Sequence, residues 1–259
     1  MTCDIEQLAQ HIYRQSKLGR PGRRFLVGVA GIPGSGKSTL AYPLTDVINR
    51  LAESEGRKEP VAICIGGDGW HLSQAQLRSM DDPDHLFARR GAHFTFDGKG
   101  YADFVATLDS AAECPFPLFS HREKDPVRDG GLVEAQHQII ILEGLYVFLG
   151  EEPWRSAALR LDERIWVETS KSEARERLVN RHLSEGVEST RAGAIRRANE
   201  SDMLNGDFVV ENSLPPTYTF TGTSIQTPRA PSLLDVGVET PQQLPESWQS
   251  RRPPTLITA

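Results

Sequence analysis

The sequence predicts an α/β protein built on a doubly wound, mostly parallel sheet. Three observations predict it. Apolar runs at 24–30, 61–65 and 138–142 do not alternate, as expected of strands buried on both faces. Stretches with helical spacing separate them, which is the alternation of parallel βαβ units. Each run ends near glycine and a charged residue: Gly31 before Lys37, Gly66-Gly67 before Asp68, and Glu143 before Gly144. In an open parallel sheet the carboxyl ends of the strands are where ligands bind.

The elements follow in order. Ile5, Leu8, Ala9 and Ile12 recur at helical spacing, so 4–18 reads as an amphipathic helix ended by Gly19 to Gly22. After the strand at 24–30, a helix from Lys37 to Leu51 carries Leu40, Leu44, Val47, Ile48 and Leu51 on one side. The strand at 61–65 stops at Gly66-Gly67. Residues 73–90 read as short helices broken at Pro83, and 101–112 as a helix. A proline-flanked stretch, 116–119, reads as a short strand. Ile139 to Leu142 is the strongest strand signal, and 165–167 is another. Residues 171–185 and 188–201 read as two charged helices. Composition changes near Ser213: eight of the seventeen prolines fall in the last 47 residues, among Thr, Ser and Gln. The expectation is one domain over 1–212 and a proline-rich, disordered tail over 213–259.

A chain of 259 residues can bury one full core. Its net charge of −6 speaks against a dedicated nucleic-acid binder. Cys3, Cys64 and Cys114 lie far apart, with no zinc-type spacing, and read as reduced thiols of a cytoplasmic protein. No apolar run approaches the ~20 residues of a membrane span, so no membrane partner is expected. The N-terminus, with Asp4 and Glu6, does not read as a secretory signal. An exposed sheet edge would leave room for a homodimer.

Gly31, Gly36, Lys37 and Ser38 fit the pattern G-x-x-x-x-G-K-[ST] between a strand and a helix. Glycines let backbone N–H groups turn inward on phosphate oxygens, and the helix presents its positive end to the same anion. The loop Gly31, Ile32, Pro33, Gly34, Ser35, Gly36, Lys37, Ser38 and Thr39 is therefore the expected nucleotide cradle. Lys37 would reach the β- and γ-phosphates, and Ser38 would sit on Mg2+. The architecture implied is the three-layer α/β/α P-loop NTPase. Asp68 reads either as a turn aspartate between glycines or as a base for an acceptor hydroxyl. Glu143 reads as a Mg2+ carboxylate or a strand-end cap. No guanine-reading NKxD motif occurs.

These pieces, in this order, resemble the uridine kinase, phosphoribulokinase and pantothenate kinase group of P-loop kinases. Within it they are most like the bacterial nucleoside or fructose-transport kinases and the fungal ATP-dependent kinases. "GDGWHLSQAQL", "RRGAHFTFDGKGY", "FPLFSHREKDPV", "IILEGLYVFLGEEPW" and "RLVNRHLSEG" carry the likeness, which spans 25 to about 212. It implies an ATP- and Mg2+-dependent kinase acting on a small-molecule hydroxyl, with Asp68 as base and His71 beside the acceptor. Arg90, Phe94, Phe96 and Asp97 would belong to the segment closing over the acceptor, Phe96 otherwise being core. His121 and Arg122 would touch the acceptor, or else be solvated loop residues. Arg177 and Arg181, four apart on one helix face, would be lid arginines within about 171–201, or else a salt-bridged surface row with Glu173. The stretch "NESDMLNG" departs from the family's Asn-Asp-x-Pro-Asn pattern and keeps only Asp202 and Asn205. Where the family continues into another strand this chain enters its proline-rich tail, so the resemblance implies a final strand missing or replaced.

Overall fold

Residues Phe25–Ala30 form β1 at the centre of the sheet, and their side chains divide between its two faces. The computed structural model describes residues 2–19, 22–221 and 225–226. The main sheet runs β2 (Ala62–Gly66), β5 (Ile139–Glu143), β1, β6 (Glu163–Val167), β7 (Tyr218–Phe220) and β8 (Ile225–Gln226). All neighbours pair in parallel except β7 with β8. This is the doubly wound α/β sheet that the non-alternating strands predict.

Two cores result. Val27, Val29, Ile139, Ile141 and Ile165 face helices α1 (Thr2–Leu18) and α2 (Lys37–Ser54), burying Leu8, Ile12, Leu44 and Ile48. Leu26, Ala30, Ile140, Leu142 and Trp166 face the opposite layer, with Tyr101 of α5 (Gly98–Thr107) and Trp154 of α6 (Trp154–Ala158). Each fully buried large apolar side chain contributes about 1.5–3 kcal/mol to holding these layers. A Cβ at Gly28 would meet Leu161 at 2.6 Å, so the second layer closes only over glycine there.

Between β2 and α5 lie α3 (Gln74–Ser79) and α4 (Pro83–Ala88). Pro83 opens α4, capped by Asp82, because its missing N–H is unneeded in a first turn. The stretch expected as a short strand is one arm of a hairpin, β3 (Cys114–Ser120) with β4 (Asp125–Val133). After β6 come α7 (Lys171–Ser184), α8 (Arg191–Arg197), a π turn over Ala198–Asp202, and α9 (Met203–Asn212). The helix expected over 188–201 is thus shorter and followed by another. Leu178, Val179, Ala194 and Ala198 form a small separate core among these helices.

The chain does not leave the sheet at residue 212. β7 pairs with β6 from Tyr218 to Phe220, and Phe220 is 5% exposed in the core beneath α2. The final parallel strand is therefore present, built from the first residues of the stretch expected as tail. Residues 227–259 lie outside the described residues.

Candidate active site

Strand register assembles the site. Val29 lies level with Glu143, and Glu143 with Gly66, so the exits of β1, β5 and β2 stand in one row. The loop Gly31–Thr39 leaves the middle of this row and ends as the first turn of α2. Gly36 caps that helix at φ 97, and Gly34 has φ 79, conformations strained for any residue with a Cβ. A Cβ on Gly34 would lie 2.4 Å from the Ala174 carbonyl oxygen, so loop and α7 touch backbone to backbone.

The loop lines a cavity together with the start of α7. The Ser35 hydroxyl is buried without a hydrogen-bond partner among the described residues. The Lys37 ammonium folds across the loop and donates to the carbonyls of Gly31 (3.2 Å) and Ile32 (3.1 Å). Its side chain keeps some surface, yet loop atoms crowd the ammonium. Lost water therefore pulls its pKa below the usual lysine value, while Glu143 and Asp68 oppose the shift. Ser38 Oγ lies 3.2 Å from Glu143 Oε2. Burial raises the Glu143 pKa, and Lys37, Ser38 and Arg181 act against that.

An orphaned hydroxyl in a glycine cradle fits a phosphate. A hydroxyl and a carboxylate in contact fit a hard cation such as Mg2+. Among the described residues no cluster of three or more His, Cys, Asp or Glu could hold a metal by itself.

Asp68 sits in a 3-10 turn, Gly67–Trp70, immediately past β2, with its side chain 64% exposed. The turn is clamped against β3: a Cβ at Gly69 would lie 2.0 Å from the Pro117 carbonyl oxygen. His71 Nδ1 lies 2.9 Å from the Asp68 carbonyl oxygen and 3.9 Å from its carboxylate. The His71 ring stacks on Phe96 at 3.9 Å and touches Phe119 at 4.9 Å. Burial lowers the His71 pKa, which keeps its ring neutral at pH 7.

The remaining expected residues divide. Arg177 donates to the carbonyls of Gly34 and Ser35, both at 3.3 Å, and pairs with Glu173. Arg177 is thus salt-bridged, as one reading expected, and it also touches the phosphate loop. Arg181 lines the same cavity of about 370 Å³ and, among the described residues, forms no ion pair. Phe96 is both half-buried core and the wall behind His71. Asp97 caps α5 through Gly100 N and faces a second cavity of about 350 Å³ alongside Phe94 and Phe96. Arg90 is occupied: it donates to Leu72 O, Lys124 O and Asp125. That makes it a brace between α4 and the hairpin. His121 and Arg122 stand exposed in the β3–β4 turn, the His121 ring touching Phe119.

Sequence reading missed several contacts. Thr169 Oγ1 donates to Ser35 O and ties the start of α7 to the loop. Tyr146 OH donates to Gly91 O, and Arg89 donates to Asn205. Tyr146 and Arg89 lie in stretches that carry the family resemblance, and Asn205 is one of the two residues kept where the chain departs from it. Arg89 was hidden beside Arg90.

A phosphate loop at the end of a central parallel strand, flanked by acidic strand ends and covered by an arginine-bearing helix, defines a P-loop kinase-type α/β protein. No protein-family model matches the chain. It is 34% identical to a uridine kinase-like protein of Schizosaccharomyces pombe over 232 residues, 89% of this chain and 97% of that one. It is 44% identical to the ATP-dependent kinase-like protein notR' of Aspergillus versicolor over 153 residues, 57% of this chain and 89% of the relative. The solved structure of a fructose transport system kinase-like protein from a Silicibacter species superposes with a TM-score of 0.73 at 29% identity, covering 83% of this chain and 98% of that one. The chain belongs to the uridine kinase-like family of P-loop kinases. Among the described residues no helix is long and apolar enough to cross a membrane.

Proposed function

We propose that the protein is an ATP- and Mg2+-dependent phosphotransferase that moves the γ-phosphate of ATP to a hydroxyl of a small metabolite such as a nucleoside, sugar or hydroxy acid. The observation that carries this reading is the row of Lys37, Ser38–Glu143 and Asp68 along one sheet edge. The names of the relatives support ATP as donor and kinase chemistry, and leave the acceptor open.

In this reading backbone N–H groups of 31–39 hold the phosphates, and Lys37 turns from the loop carbonyls to them. Ser38 and Glu143 would hold Mg2+, which neutralises phosphate charge when bound. Asp68 orients the acceptor hydroxyl and takes its proton as the oxygen attacks the γ-phosphorus and ADP leaves. Arg181 and Arg177, on the lid helix α7, offset the charge of the transferring group and help exclude water. His71, Phe96, Asp97, His121 and Arg122 border the acceptor side. The unpaired thiols Cys64 and Cys114 suit a reducing, cytoplasmic setting.

The test is ADP formation from Mg·ATP with a panel of nucleosides, sugars and hydroxy acids, in the wild type and in Asp68→Asn. Acceptor-dependent ADP that falls about 10²–10⁴-fold in the variant is expected. Equal, acceptor-independent ADP in both proteins would replace the kinase by an ATPase.

A further inference from the structure

Two adjacent arginines, Arg89 and Arg90, follow α4 and meet opposite surroundings. Arg90 is ion-paired to Asp125 at 3.0 Å. Arg89 has a single side-chain hydrogen bond, from Nη2 to the neutral amide oxygen of Asn205 at 2.9 Å. Its Nε is buried with no partner, as is that of Arg90, but unlike Arg90 it has no carboxylate within 4.0 Å of its guanidinium among the described residues. A half-buried guanidinium answered only by an amide is costly unless something else completes it.

What surrounds Arg89 connects it to the reacting edge. Asn205 is 5% exposed and lies beside Gly91, and the next residue, Gly206, packs on Pro33 and Ile32 of the phosphate loop. Gly91 O accepts from Tyr146 OH at 2.8 Å. Tyr146 meets Phe96 edge-on at 5.3 Å, and Phe96 stacks on His71 beside Asp68. One continuous wall therefore runs from Asp68 through His71, Phe96, Tyr146 and Gly91 to Arg89. The nearest basic ring, His93, is held neutral by burial, so Arg89 supplies the lasting positive charge at that end.

We propose that Arg89 reads an anionic group on the acceptor, so that the acceptor carries a carboxylate or phosphate as well as the hydroxyl it presents to Asp68. This rests on the kinase reading of the same site. A guanidinium offers the planar fork that both anions accept. Asn205 holds the fork in place from the α9 side.

The test is binding of matched pairs to the full chain with Mg·ADP: glycerol against glycerate, and ribose against ribose 5-phosphate. Calorimetry reads the affinities for the wild type, Arg89→Gln and Arg89→Lys, with thermal melting as the check on folding. At least one anionic member binds tenfold or more tightly than its neutral twin. Arg89→Gln removes that ratio without moving the neutral affinity, and Arg89→Lys keeps part of it. The carboxylate and phosphate arms tell which anion is meant. A ratio near one in both pairs, or a preference that survives Arg89→Gln, overturns the proposal. So does a loss of Mg·ATP affinity in Arg89→Gln with the ratio intact, which would assign the guanidinium to the nucleotide. ADP formation in the same panel separates the two readings. Turnover of neutral acceptors alone sinks the anion subsite and keeps the kinase. An Arg89-dependent ratio without any ADP keeps the subsite and sinks the kinase.

Discussion

Gly34 shows how much one residue carries. Its φ of 79 and the 2.4 Å approach of the Ala174 carbonyl to an added Cβ bring strain and collision together. Gly34→Ala is expected to cost about 1–3 kcal/mol of local strain and to weaken ATP binding, read by nucleotide titration. Unchanged ATP affinity would mean that the loop tolerates another shape. Arg90 makes the opposite kind of prediction. With both terminal nitrogens engaged and its side chain 14% exposed, Arg90→Met should lower stability by about 1.5–3 kcal/mol in urea unfolding. A variant that melts like the wild type but fails to turn over would return Arg90 to the acceptor. Lys37 and Ser38 were legible from the spacing of one motif, and Glu143 from the end of a strand apolar on both faces. Arg90 was not, because its partner Asp125 is 35 positions away and nothing local distinguishes Arg90 from Arg89.

Elements were legible where burial was two-sided. The strands at β1, β2 and β5 announce themselves because both faces need apolar side chains. β4 was silent: "DPVRDGGLV" is mostly exposed, with only Val133 buried. The three residues of β7 hide among proline and threonine and become a strand only by pairing with β6. α9 was masked by Gly206, where an added Cβ would come within 3.2 Å of the Pro33 ring. A chain ended at Asn212 loses the β6 pairing and the burial of Phe220, and should melt several degrees below a chain ended at Gln226. Equal melting points would show β7 to be dispensable. Helix α7 makes a second element prediction. Arg177 is fastened to Glu173 and the loop carbonyls, whereas Arg181 forms no ion pair among the described residues. Arg181→Ala should therefore lower kcat by tenfold or more with little change in melting. Arg177→Ala should raise the KM for ATP. Two variants with the same kinetic signature would contradict this division of labour.

At the scale of the whole molecule, buried imidazoles set the acid limit. His71, His93 and His137 occupy different parts of the fold, and burial is the largest cause lowering each of their pKa values. His137 adds a geometric reason, since its Nδ1 accepts from Glu134 N at 2.9 Å and a protonated ring could not. A group with a lowered native pKa binds its proton more readily when unfolded. Its stabilising contribution is complete above the unfolded value near 6.5 and is lost as pH falls towards the native value. The melting temperature should therefore decline as pH drops below about 6.5, with proton uptake on unfolding. His137→Asn keeps a side-chain acceptor for Glu134 N and cannot titrate, so it should shallow this decline by about one proton's worth of slope. A melting temperature that stays flat or rises on acidification through this window would mean that the rings are protonated in the native state. The neutral His71 beside Asp68 would then be lost with them, and the wall proposed for the acceptor would carry a second charge.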